Sequence, residues 1–158
     1  MDAYLAGGDN NVVPVPGITL LNVFNPATTR RGFLFYFLLT VPATGLAVGD
    51  NEIVWRMRRS TVPGTATVQV PGQFDLAAPA SGLSAGIDHT AEPTFTTDLF
   101  PGGAGGLGPG LHQRNLFFWN AHQNGEFVIP AVVNAGIAFS AIHGSFNGLA
   151  VSNAHWRE

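Results

Sequence analysis

Glycine and proline interrupt this chain every few residues, and no window between them sustains the i, i+3, i+4, i+7 spacing of an amphipathic helix. With 20 Gly and 11 Pro, a long helix would be broken repeatedly, by backbone entropy at Gly and by a missing N–H at Pro. Between the breakers lie short runs rich in β-branched and aromatic side chains, the composition of strands. These runs predict strands near residues 18–24, 33–41, 52–59, 65–70, 116–120, 126–129, 137–142 and 149–156.

Strand periodicity assigns faces. In the third run Ile53, Trp55 and Met57 fall on one side and Val54, Arg56 and Arg58 on the other. Residues 33–39 are apolar on both faces, as in a strand covered on both sides, by the same domain or by a neighbouring subunit. Asn124-Gly125 is a hairpin signal, and Asn134-Ala135-Gly136 and Asn147-Gly148 mark further turns. The last third therefore predicts a four-strand antiparallel meander. The whole predicts an all-β, antiparallel β-sandwich of jelly-roll type.

Two stretches stand apart. Residues 1–17 carry Gly7-Gly8, Asp9-Asn10-Asn11, Pro14 and Pro16 and read as an extended N-terminal arm on a domain spanning 18–158. Residues 71–113, ending in a Gly-rich run from Gly102 to Gly110, read as a long loop insertion. A structureless segment of that length is functional or disordered, so it is either ordered on a partner or a floppy excursion.

At 158 residues the chain is one ordinary domain. Area scaling gives roughly 7,600 Å² exposed when folded against roughly 24,000 Å² unfolded, enough burial for an independent core. Charged residues are 11%, well under the usual ~25%, which argues for folding rather than disorder. All seven basic residues are Arg. Arg tolerates interfaces better than Lys, although codon bias in a GC-rich genome explains the absence of Lys equally well. The net charge of −3 leaves no basic stripe for nucleic acid. Zero Cys removes disulfides and thiolate sites. Arg30-Arg31 before an apolar run imitates a twin-Arg signal, but it lies deep in the chain and Pro42 and Gly45 end it short of a membrane span. Neither a signal peptide nor a membrane contact is expected.

Chemistry-bearing motifs are sparse. Gly103 to Gly108 matches GxGxxG, yet Pro101 and Pro109 flank it in a chain without helical pattern. His89, His112, His122, His143 and His155 show no ligand spacing. Asp88, His89 and Glu92 form the nearest cluster, with too few oxygens for a hard cation. Gly144-Ser145-Phe146-Asn147-Gly148 is a turn and not a nucleophile elbow. The expectation is no enzyme, no cofactor and no metal. Trp55, Trp119 and Trp156, with Tyr4 and Tyr36, suit either core and subunit contacts or a sugar-stacking platform.

Residues 115–158 resemble a recurring type of small tailed-bacteriophage structural protein. The likeness rests on Phe118-Trp119, on the run from Asn124 to Ala131, on the run from Asn134 to Phe139, and on the stretch from Gly148 to Trp156. Upstream, Asn25-Pro26-Ala27, Ile53-Val54-Trp55, Gly64-Thr65-Ala66-Thr67 and the run from His89 to Thr94 resemble it too. The resemblance implies a capsid-decoration (cement) protein on the virion surface, bound to the major capsid protein as a homo-oligomer, a trimer. Partner contacts are then expected from Tyr4, Leu5, Val13, Pro14 and Pro16 of the arm, from Phe33, Phe35 and Phe37, and from Trp156. A tail or fibre receptor-binding module and a carbohydrate-binding module are the alternatives.

Overall fold

The computed structural model describes residues 1–12, 17–27, 30–41, 53–105, 116–121, 125–143 and 148–158. Among them lie twelve strands and no helix: β1 (Ala3–Val12), β2 (Ile18–Phe24), β3 (Gly32–Thr40), β4 (Ile53–Val62), β5 (Thr65–Gln69), β6 (Gly72–Gln73), β7 (Ser84–Ala91), β8 (Thr94–Gly105), β9 (Leu116–Asn120), β10 (Phe127–Ile129), β11 (Gly136–His143) and β12 (Gly148–Arg157). They build two antiparallel sheets. The front sheet runs β10-β3-β12-β1-β6, with β9 also on β3, and the back sheet runs β5-β7-β2-β11-β4-β8.

The core lies between the sheets, because the inward residues are nearly all apolar, Ser152 of β12 being a buried exception. Leu34, Phe37, Leu39, Ala154 and Trp156 from the front meet Leu21, Val23, Met57, Ile137 and Phe139 from the back, all fully buried. Phe37 joins the sheets directly, its ring 5.0 Å from Phe139 and 5.9 Å from Trp119. Each of the larger aliphatic and phenylalanine side chains contributes about 1.5–3 kcal/mol by leaving water. In β4, Trp55 and Met57 are buried and Arg56 and Arg58 face out, as the alternation predicts.

Four expectations need correction. The arm is not detachable: residues 3–12 form β1, paired with β12 from Ala3↔Arg157 to Val12↔Gly148, with Tyr4 and Ala6 in the core. Its Gly, Asp and Asn residues carry poor strand propensity, but hydrogen bonds to a central neighbour override that preference. The 71–113 insertion is largely strand as well, holding β6, β7 and β8, while residues 106–113 lie outside the described residues. The meander is absent among the described residues: β9 and β10 both pair with β3 and not with each other, Asn124 of the expected hairpin turn lies outside the described residues, and β11 sits in the other sheet. Finally, the phenylalanines of β3 are split. A register shift between His155 and Trp156 leaves Phe35 as the extra residue of a bulge, so Phe33 and Phe35 face out and Phe37 faces in.

One feature accounts for the burial of β2 and β11 on both faces. The pairs β4·β8 and β5·β7 are two halves of one antiparallel ribbon, joined by Pro63-Gly64 on one strand and Glu92-Pro93 on the other. Its halves lie at opposite edges of the back sheet, so the ribbon bends across the outside of β2 and β11 like a strap. Polar side chains tie it down. The Thr19 N–H and hydroxyl donate to the Glu92 carboxylate, the Asn22 amide donates to the Pro63 carbonyl at 3.3 Å, and the Ser60 hydroxyl donates to Asn22 at 3.1 Å. Gly64, with φ +76°, makes the bend that a side chain would resist.

Candidate interaction face

The outward residues of the front sheet align in rows across the strands. One row reads Asn120, Tyr36, His155, Leu5 and Gly72, and the next reads Phe118, Leu38, Asn153 and Gly7. A third holds Val128, Phe33, Arg157 and Ala3. Most of these residues are half-buried, and Phe118 stands out at 60% exposure. Whereas the strap covers the back sheet, among the described residues the chain lays little over this face apart from Phe74, which follows β6.

An aromatic cluster centres on His155. Its ring lies 4.7 Å from Tyr36, 6.0 Å from Phe35 and 5.1 Å from Phe74, the last edge-on at 75°. Burial among these rings lowers the His155 pKa below its ordinary value. Arg157 places its guanidinium 5.6 Å from the Phe35 ring and pairs with Glu126, while exposed Asp9 follows Leu5 and Gly7 along the outward side of β1. In the middle of the face the Asn153 Oδ1 is buried without a hydrogen bond.

The expected partner residues divide sharply. Leu5, Phe33 and Phe35 belong to this face. Tyr4, Phe37 and Trp156 do not, since each is fully buried. Tyr4 stacks on Trp156 at 6.3 Å and donates its hydroxyl to the Pro79 carbonyl at 2.9 Å. These three contribute by holding the sheet rigid and not by touching a partner. Val13, Pro14 and Pro16 lie outside the described residues. Of the other residues here, the sequence pointed to Tyr36 as a subunit-contact aromatic and to His155 as an edge or interface residue of its strand, but no signal marked Leu38, Phe74 or Phe118.

The Trp residues do not make a solvent-facing platform. Trp55 and Trp156 are in the core, and Trp119 packs on Phe37 and on Phe127 at 4.8 Å. The Asp88, His89 and Glu92 cluster is put to structural use, with Glu92 turned to Thr19. His89 is half-buried and its pKa is lowered by that burial, against the raising effect of nearby Glu92. Among the described residues no three His, Asp or Glu side chains converge as metal ligands do. A shallow pocket of about 210 Å³ beside Pro63 and Gly86 is lined by apolar groups and the Thr65 hydroxyl, without an acid or base. His112 and His122 lie outside the described residues.

No protein-family profile matches this chain, and no curated protein and no solved structure does either.

Proposed function

We propose that this chain is a non-enzymatic capsid-decoration (cement) protein of a tailed bacteriophage, a trimer that binds and stabilises the major capsid protein shell at the virion surface. The observation that carries the reading is the outer face of the front sheet, an apolar aromatic surface on a rigid two-sheet body. Such a body works by burying area against protein.

The winding supports it. With the strap tip (β5 to β7) set aside, the front sheet reads β1-β12-β3-β9/β10 and the back sheet reads β2-β11-β4-β8. The chain alternates between sheets in the manner of a jelly roll, an architecture found in viral capsid domains. Fold alone does not define function; the low charge and the apolar face add the physical reason. A decoration protein needs a surface that is cheap to desolvate, and only 11% of this chain is charged.

Quantitative mass spectrometry of purified virus particles from the source tests the proposal. Hundreds of copies relative to the major capsid protein are expected. A handful would move the chain to the tail, and complete absence would overturn the virion reading.

A further inference from the structure

His89 sits where the strap bends, and the chain around it is shaped to admit its ring. Asp88, at φ +50°, interrupts the pairing of β7 with β5, so that residues 88–90 stand opposite Ala66 alone. A bulge of this kind re-aims a side chain. Both His89 ring nitrogens are shut off from solvent, and neither makes a hydrogen bond. Gly86 leaves the room: a Cβ there would lie 3.7 Å from the His89 Nε2 and 3.0 Å from the Ala66 methyl. Glu92 and Asp88 are the charged groups that face the ring, and with the nearby Thr19 and Pro63 backbone they favour its charged form, yet burial outweighs them. β2 and β5 bring no titratable residue, and Arg58 of β4 interacts with Asp98 and Glu92.

The two halves of the strap are held unequally. β4 pairs with β11 along the whole of that strand, from Gly136↔Ser60 to His143↔Ile53. β7 pairs with β2 only from Asn22↔Gly86 to Phe24↔Ser84. The bend is tied down by Glu92 to Thr19 and by Asn22 to the Pro63 carbonyl. His89 lies beside both ties, near Thr19 of one and Pro63 of the other.

We propose that His89 is a proton-operated latch on this strap: with the ring neutral the bend stays shut over β2, and when the ring takes up a proton the β5–β7 end lifts so that water reaches the charge. A charged group without a partner is costly to keep buried, and hydration relieves that cost. The shallow pocket gives water its way in, since Pro63, Ala66 and Gly86 line it and also surround the ring. Because burial disfavours the proton, the open form binds it more readily, and opening grows as pH falls below the ordinary histidine value of about 6.5. Opening uncovers Thr19 and Asn22, polar side chains that are fully buried when the strap is shut. The latch does not depend on a virion role.

Hydrogen exchange read by mass spectrometry on the full chain, at about pH 7.5 and about pH 5.5, tests it. Rates are expressed as protection factors, so that the intrinsic effect of pH on exchange is divided out. Acidification is expected to lower protection in β5 and β7 severalfold more than in β11. His89→Gln, neutral at both values, is expected to lose that difference, and His155→Gln is expected to keep it. Equal loss in β11, no loss in β5 and β7, or a His89→Gln protein that still loosens there would each overturn the latch. Should His89→Gln not fold, the His89 ring titration followed by NMR on the parent chain decides. Loosening of β5 and β7 that tracks this titration is expected, and loosening that does not would overturn the proposal.

Discussion

Glu158 closes on Gly82: its carboxylate accepts the Gly82 N–H at 2.8 Å, joining the end of β12 to the segment that leads into β7. The same carboxylate also takes the Leu83 N–H at 3.2 Å, the Trp156 indole N–H at 3.1 Å and the Ser81 hydroxyl. Arg30 stands 3.5 Å away at the exposed side. One buried acid thus satisfies two backbone donors, an indole and a hydroxyl, and anchors the returning strand of the strap to the front sheet.

Replacing Glu158 by Ala is expected to lower stability by about 2–3 kcal/mol, because buried donors lose a charged acceptor. Urea denaturation with an unchanged slope and a lower midpoint would measure it. An Arg30→Ala variant is expected to cost under about 1 kcal/mol, since that ion pair is solvent-screened.

The same site sets an acid limit. Burial acts to raise the Glu158 pKa, but the hydrogen bonds from Ser81, Gly82, Trp156 and Leu83 outweigh it and hold the carboxyl below its ordinary value. Its stabilisation is therefore present above the unfolded value of about 4.5 and is lost as pH falls through the lower folded value. Glu158→Gln is expected to flatten the pH dependence of the unfolding midpoint below pH ~4.5.

Histidine acts at higher pH. Burial lowers both His155 and His89, so each binds its proton more readily when unfolded. Their neutral forms support the fold above about pH 6.5, and stability declines as pH drops below that value towards their folded pKa. His155→Phe is expected to shrink this decline while preserving the ring packing on Tyr36 and Phe74. Thermal melts from pH 8 to pH 5 on the two proteins check it.

Gly64→Ala tests the strap. A left-handed backbone costs a non-Gly residue about 1–2 kcal/mol, and a Cβ there would also strike the Ala91 carbonyl. The expected loss is above about 2 kcal/mol, with amide exchange accelerated first in β5 and β7. Uniform acceleration across both sheets would contradict a separable strap.

For the core, Phe139→Ala is expected to cost about 3–5 kcal/mol, as the ring fills the space between the sheets against Phe37. Phe33→Ala, half-exposed on the outer face, is expected to cost far less in stability. Chemical denaturation of the two variants side by side gives the comparison.

How far the sequence could be read depends on how local each signal is. β2 and β9 are legible to the residue, and the faces of β4 follow from alternation, because breakers and period-2 patterns act within a few positions. β1, β7 and β8 escape such reading: their Gly, Asp and Pro residues argue against strand, and they are strands because of neighbours distant in sequence. The expected pairing of β9 with β10 is replaced for the same reason, since β3 supplies the partner for both. The interaction face was half legible. Apolar side chains on both sides of β3 announced it, but the bulge at Phe35 exchanges inside for outside and so places Phe37 in the core.

The pairing of β1 with β12 also governs when this protein can finish folding. Ser152 donates to the Gly8 carbonyl across 144 residues of chain. At ribosomal speeds of about 5–20 residues per second, Gly8 waits roughly 7 to 30 s before its neighbour is synthesised. Until then the edge of β3 that β12 will occupy stands open too. A polysome making this protein holds several such half-built sheets close together, where strand exchange between nascent chains competes with correct closure.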